Sequence, residues 1–451
     1  MNIVIAGIGK FGVELTKELS KGNHNITIVD NKPSVLEDVV NQYDVIGMNG
    51  NAASYDTQLE AGVAKADLFI ATTPNDETNI LCCLVAKKLG AKQTVARLRN
   101  PEYAKQAQLM QDELGVGMSL NPDLDTAAEI FRILRFPSAN KVETFANGRV
   151  NLVEVKINSD SLLAGKTLAD IRNKFNVKIL VCAVLRGNEV IIPKGNFEIL
   201  ESDSIYIAAD TNEIANAFKK LKLWKNTLKS AIIVGGGRIT HYLAHELLSS
   251  GISVKIIDRD KEVCQTLSEE FPNALILNGD ATNNKILLEE GIDSIDSVIT
   301  LTGMDETNII ISSYAKSVGC NKVITKVNKA NYESILHTIG LDSIVSPKDI
   351  FASNVIRYTR GIENTLDSEF RTLHRLVGGR VEALEFFISK KTDYTGIQLK
   401  DLKIKKDFLL ACIIRANNVI IPGGNDTLEP LDSVVIVTTN TEAKDLSDIL
   451  E

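Results

Sequence analysis

Two short stretches carry residue types at spacings that could do chemistry. "GIGKFG" at residues 7–12 and "GGGRIT" at residues 235–240 each follow an apolar run and precede a helical stretch. In that setting G-x-G-x-x-G is a phosphate-binding turn. Gly7 allows the tight turn, Gly9 lets a pyrophosphate approach the backbone, and Gly12 permits close helix–sheet packing. The phosphates would then meet free N–H groups and the positive end of a helix dipole, with Ile8, Lys10 and Phe11 completing the first turn. Asp30 ends the next strand 23 residues after Gly7, where a carboxylate would accept hydrogen bonds from ribose hydroxyls. Asp258 has the same spacing from Gly235. Both carboxylates argue against NADP, whose 2′-phosphate would meet a like charge, although Arg259 weakens that argument in the second half.

The second stretch keeps Gly235, Gly236, Gly237, Arg238 and Ile239, but Thr240 stands where the third glycine belongs and would hold the helix slightly farther from the sheet. Lys10 and Arg238 directly follow the turns at equivalent positions. They either reach further phosphates, which suits ATP or ADP as well as NAD, or remain solvated. Arg97 and Lys326 also correspond, each at the end of a fifth strand bordering the crevice, where a cation would contact phosphate.

The elements that must position these residues are themselves repeated. Gly7, Gly9 and Asp30 recur as Gly235, Gly237 and Asp258 at an offset of 228; "NGNAA" (49–53) recurs as "NGDAT" (278–282), and "DETNI" (76–80) recurs unchanged at 305–309, both at 229. The one-residue slip falls between the second strand and the "NG" turn. "EVIIPKG" (189–195) answers "NVIIPGG" (418–424), and Asp203 answers Asp432. A repeat of this extent implies a duplication.

Within each half two patterns follow one another. "NIVIA", "NITIVD", "DVIGMNG", "DLFIATT" and "QTVARLR" read as buried strands separated by amphipathic helices such as "ETNILCCLVAKKLG". This alternation predicts right-handed βαβ units and a doubly wound parallel sheet. The pattern then changes to strands with a hairpin turn at "RGN" and one helix, "TLADIRNKF", a small α+β module. The segment "KLKLWKNTLKS" (220–230) leads into the second sheet. The expected architecture is α/β: two Rossmann-like doubly wound parallel sheets at 1–138 and 229–366, each followed by a small α+β module, at 139–222 and 367–451.

At 451 residues the chain is too long for one ordinary core. A net charge of −8 offers no attraction to nucleic acid or anionic lipid. Apolar runs such as "KILVCAVL" fall short of the roughly 20 residues of a membrane span, and the N-terminus enters a strand at once, so a cytoplasmic protein is expected. The six cysteines form no CxxC pair and read as small hydrophobes, with neither a disulfide framework nor a zinc site. Histidines 24, 241, 245, 337 and 374 do not correspond between halves. His241 and His245 have ligand spacing, but "HYLAHE" lacks the HExxH order and a third ligand. The α+β modules hold no Ser/His/Asp set, and Asp203 and Asp432 read as turn residues. Two ligand sites without reactive groups suggest a sensor, not an enzyme. The alternative is a duplicated NAD-dependent oxidoreductase.

The order of these motifs over essentially the whole chain resembles the TrkA family, nucleotide-binding subunits of Trk potassium-uptake systems built from tandem RCK domains. The resemblance implies an RCK N-terminal domain for each sheet and an RCK C-terminal (TrkA-C) domain for each module. It also implies a homo-oligomer, a tetramer whose eight units form a ring. That ring would lie peripherally on the cytoplasmic face of a TrkH- or TrkG-like translocator, whose potassium flux NAD(H), ATP or ADP adjusts. Carried over by position, the first site uses Gly7 to Phe11, Asp30, Asn51, Thr73 and Arg97; the second uses Gly235 to Ile239, Asp258, Asp280, Thr302 and Lys326.

Overall fold

The computed structural model describes residues 1–451 except 113–114, 147, 224–227, 329–331, 333–335, 337, 365–369, 417, 441–442, 444 and 451. His337, part of the 220–230 segment and the expected boundary at 366/367 therefore lie outside the described residues. The chain divides into two compact units: Met1–Phe131 with Ser230–Thr359, and Arg132–Lys229 with Arg360–Glu451.

The first unit holds two six-stranded parallel sheets. Counting strands along the chain, both have the order 3-2-1-4-5-6. The first contains Asn2–Ala6, Asn25–Asp30, Ile46–Asn49, Leu68–Ala71, Gln93–Arg97 and Met118–Leu120. The second contains Ser230–Val234, Ser253–Asp258, Leu275–Asn278, Ser297–Thr300, Lys322–Lys326 and Ile344–Val345. The central strands are buried on both faces, which is why they read as unbroken apolar runs. The short sixth strands carry too few residues to show a period. The one-residue slip falls where the helix Pro33–Val40 is matched by a longer one, Lys261–Glu270.

Helix–sheet packing at the glycine turns is solved differently in the two halves. A Cβ at Gly12 would collide with the Gly7 carbonyl, so the helix Lys10–Leu19 sits against its turn only with glycine there. That carbonyl accepts instead from the Thr72 hydroxyl at 2.6 Å. In the second half Thr72 is matched by Leu301, and Thr240, fully buried, supplies the hydroxyl that donates to the Gly235 carbonyl. The expected intrusion of Thr240 is thus absorbed as a hydrogen bond.

The two sheets pair through their last helices, Pro122–Arg135 and Pro347–Asn364. Asn354 donates to Asp125 at 2.7 Å, and Tyr358 donates to Gln93 at 3.0 Å. Phe351 meets Phe11 edge-on at 5.4 Å between ring centroids. Lys348 reaches the buried Glu14 of the other half at 2.5 Å, and Lys17 reaches it at 2.7 Å.

The second unit holds two five-stranded antiparallel sheets of one topology. The first comprises Lys141–Phe145, Val150–Lys156, Ile179–Arg186, Glu189–Ile191 and Ser204–Asp210; the second comprises Phe370–Leu376, Val381–Phe387, Phe408–Arg415, Asn418–Ile420 and Ser433–Thr438. They share one apolar cluster that includes Phe145, Cys182, Leu376 and Cys412. All six cysteines are buried and free. Glu143 and His374, equivalent positions in the repeat, meet at 2.7 Å. The helix expected in each module forms only in the first, at Leu168–Phe175, where Thr167 caps it by accepting from the Asp170 N–H. Gln398 replaces that threonine, and the matching segment is two residues shorter and irregular. Asp203 and Asp432 are more than turn residues. Asp432 is fully buried and accepts from Arg415 Nε and Nη2 at 2.8 and 2.7 Å and from the Glu429 N–H at 2.8 Å; Asp203 repeats this with Arg186 and Leu200.

Three outcomes are expected in melts of the full chain. Thr240→Val strands a buried carbonyl and should lower stability by about 1–3 kcal/mol, whereas Thr240→Gly with Leu301→Thr, which recreates the first-half arrangement, should recover most of that. Asp432→Ala should cost about 3 kcal/mol, the low end for a broken buried pair because Arg415 can still reach water. Burial raises the Glu14 carboxyl, but the Lys17 and Lys348 ammoniums more than reverse this and hold it below 4.5. A depressed carboxyl stabilises the fold above its ordinary pKa and loses that contribution as pH falls through the folded value. The melting-temperature gap between the wild type and Lys348→Met should therefore be full above pH 4.5 and close below it.

Candidate functional site

Both glycine turns sit at the C-terminal ends of the strands, where an open α/β sheet leaves a crevice. Gly7 and Gly235 adopt left-handed conformations, with φ of +87° and +103°, and a Cβ on either would press on the fourth-strand backbone at Thr73 or Leu301. Gly9 and Gly237 differ. Each caps its helix with ordinary extended angles, and a Cβ would meet nothing within 4 Å. Neither conformation nor packing requires glycine there. A Cβ at Gly236 would press on the side chains of Val263 at 2.6 Å and Leu267 at 2.8 Å, so a larger residue there makes both give way; the equivalent Ile8 of the first half is buried.

The two acidic residues do more than the spacing indicated. Asp30 Oδ2 accepts from the Ile8 N–H at 2.7 Å and its Oδ1 from the Lys32 N–H at 3.0 Å. Asp258 accepts from the Gly236 N–H at 2.6 Å and the Asp260 N–H at 2.8 Å. Each carboxylate ties its glycine turn to the end of the second strand, which sets the crevice width before any ligand arrives.

The fourth and fifth strand ends are tied by a residue that motif reading missed. Asn79 is fully buried. Its Oδ1 accepts from Thr73 N and Oγ1 at 2.8 and 2.7 Å, and its Nδ2 donates to the carbonyls of Thr73 and Arg97 at 3.1 and 2.8 Å. Asn308 makes the same four bonds with Thr302 and Lys326. Three residues earlier on the same helix face, Asp76 accepts from the N–H groups of Arg99 and Asn100, and Asp305 from that of Asn328. Glu77 and Glu306 take the hydroxyls of Tyr103 and Tyr332. The unchanged "DETNI" repeat is therefore the crevice's scaffold. Polar residues at i and i+3 of an otherwise core-facing helix were the available signal.

The cations divide into two kinds. Arg97 is only 4% exposed, stacks on Phe11 at 4.6 Å and donates to the Thr73 carbonyl at 2.5 Å, leaving its buried Nε without a partner. Burial lowers its guanidinium to about 10, helped by Arg99 and Arg238, so it remains charged at neutral pH. Lys326 donates to the Leu301 carbonyl at 3.1 Å and is also lowered by burial, against the pull of Asp123 and Asp305. Lys10 and Arg238 are exposed. Lys10 stands in the field of Lys326, and Arg238 in that of Arg97, so each turn's cation lies near the fifth-strand cation of the other half. Ile239 is buried in the core. Asn51 and Asp280 open the loops after the third strands and are exposed.

His241 pairs with Glu270 at 2.7 Å, and no group of three metal-ligating side chains occurs among the described residues. No described helix is long and apolar enough to cross a membrane.

The chain is similar to known proteins over nearly its whole length. The TrkA-N domain model matches residues 3–122 and 231–347, and the TrkA-C domain model matches 152–222. The chain is 32% identical over 449 residues to the Trk system potassium uptake protein TrkA homolog of Archaeoglobus fulgidus, covering all of both chains. It is 32% identical over 453 residues to the Trk system potassium uptake protein TrkA of Vibrio alginolyticus, covering 100% of this chain and 98% of that one. Among solved structures, the GsuK RCK domain superposes with a TM-score of 0.64 at 18% identity, covering 97% of this chain and 92% of its own. The GsuK channel bound to NAD gives the same score and identity over 99% and 78%. Two glycine turns, each braced by a carboxylate and a buried asparagine, thus recur in a chain that belongs to the TrkA family of Trk-system potassium uptake proteins.

Proposed function

We propose that the chain is a nucleotide-sensing regulatory subunit of a Trk-type potassium transport system, without enzymatic turnover. It binds NAD(H), with ATP or ADP as alternative or additional ligands, in both crevices. The observation that carries this reading is the open space at Gly9 and Gly237. A glycine that neither backbone angle nor neighbouring atoms demand, at the N-terminus of a helix, fits a ligand whose phosphates must approach the main chain. The unpartnered Arg97 Nε adds a buried donor without an acceptor. A related fold, the GsuK channel, is known bound to NAD.

In this reading the four domains are 1–138, 139–222, 229–366 and 367–451. Gly7 to Phe11, Asp30, Asn51, Thr73 and Arg97 hold one nucleotide; Gly235 to Ile239, Asp258, Asp280, Thr302 and Lys326 hold the other. When bound, the nucleotide supplies a polyanionic phosphate chain. Lys10 acts on Lys326 and Arg238 on Arg97 across the two halves, so that chain comes under cations from both, and ligand identity biases how the halves pair. A homo-oligomer, a tetramer, passes the bias to a TrkH- or TrkG-like translocator from the cytoplasmic face.

Gly9→Ala and Gly237→Ala separate binding from folding. Each should change stability by no more than about 1 kcal/mol. Each should weaken NAD or ATP at its own crevice at least about ten-fold by calorimetry. Equal affinities in wild type and both variants, or steady consumption of the nucleotide, would refute the proposal.

A further inference from the structure

In both sheets the third strand lies outside the second, which lies outside the first. With phosphates at the turn after the first strand and ribose at Asp30 or Asp258 after the second, the base falls at the loop after the third. Those loops open with Asn51 in one half and Asp280 in the other. This step rests on the nucleotide reading proposed above.

The two side chains are pinned alike. Asn51 Oδ1 accepts from the Ala53 N–H at 3.0 Å. Asp280 Oδ1 accepts from the Thr282 N–H at 2.9 Å and the Thr282 hydroxyl at 2.8 Å. What remains to face a ligand differs in kind. Asn51 offers Nδ2, a donor, beside the second lone pair of Oδ1; Asp280 offers Oδ2, an acceptor only. The amide and carboxylate are nearly the same shape, so the difference is one of hydrogen-bond polarity.

We infer that the two crevices read different purine edges: Asp280 restricts the second to a 6-amino purine, while Asn51 lets the first take 6-amino and 6-oxo purines alike. An adenine amino group donates to the Asp280 carboxylate or to Asn51 Oδ1. A 6-oxo purine presents a carbonyl, which accepts from Asn51 Nδ2 but sets two acceptors against each other at Asp280, with no proton between them. The ring N1–H of a 6-oxo purine is displaced along the edge, and a ribose held by Asp258 opposes the slide needed to reach it. A mismatch of this kind corresponds to about ten- to hundred-fold in affinity.

Calorimetric titration of the full chain with ATP and ITP, and with NAD and nicotinamide hypoxanthine dinucleotide, tests this. The wild type should bind two adenine nucleotides per chain, but hypoxanthine nucleotides tightly at one crevice and about ten- to hundred-fold more weakly at the other. Asp280→Asn keeps the Oδ1 that holds the Thr282 turn and should make the two hypoxanthine sites comparable. Asn51→Asp should weaken hypoxanthine at the first crevice while leaving two adenine sites, which also reports an intact fold. Equal affinity for both bases at both crevices, a second crevice that takes neither base, or variants that leave the hypoxanthine titration unchanged would overturn the inference. Failure of every nucleotide to bind at either crevice would instead remove the nucleotide reading, and this inference with it.

Discussion

A single buried carboxamide in each half governs the shape of the crevice. Asn79 and Asn308 use both donors and both acceptor lone pairs on the ends of the fourth and fifth strands, with no capacity left over. Away from water an unmatched amide is costly and a fully matched one is strongly directional, so the two strand ends have essentially one allowed separation. Everything on the phosphate side inherits that spacing. Thr73 presses on Gly7, Arg97 is held between Phe11 and the Thr73 carbonyl, and Asp76 fastens the loop beyond. The identity of "DETNI" in both halves is intelligible on these terms, because Asp76, Glu77 and Asn79, like Asp305, Glu306 and Asn308, bond to the segments that follow the fourth and fifth strands.

Where the halves diverge, the divergence is compensated within contact distance. One hydroxyl must reach the first carbonyl of each glycine turn; it comes from the fourth strand at Thr72 in one half and from the helix at Thr240 in the other. At the second turn position the first half buries Ile8, whereas the second has Gly236, against which the side chains of Val263 and Leu267 pack. Close packing transmits a one-methyl change to its neighbours, so paired changes of this kind preserve a geometry that single ones would not.

The parallel sheets and the glycine turns were legible because they rest on local signals: buried apolar runs, turn residues and fixed spacings. Less legible was anything set by a partner distant in sequence. Asp203 and Asp432 looked like turn residues, since the arginines 17 positions earlier that claim their carboxylates belong to a different strand. The second module's helix was expected by analogy with the first, but two deleted residues and the loss of the Thr167 cap remove it. The TrkA-C model matches only the first module, although both sheets share one topology. Asp30 and Asp258 were placed correctly, but their bonds to the glycine turns depend on three-dimensional closeness that spacing alone does not give.

Pairing of the halves creates a tension that bears on function. Hydrogen bonds between the halves, Asn354 with Asp125 and Tyr358 with Gln93, draw the two sheets together. The same approach brings Arg238 towards Arg97 and Lys10 towards Lys326, like charges whose repulsion is strongest where water is scarce. Asp123 and Asp76 offset this at Arg97, and Asp123 and Asp305 at Lys326. Burial raises the Asp123 carboxyl, against the pull of Arg99, Arg238, Lys326 and Arg97. Cations of both halves thus stand in one another's fields at the crevices. The apolar and hydrogen-bonded contacts then set where the halves can meet, and the charge at the crevices sets how tightly they do.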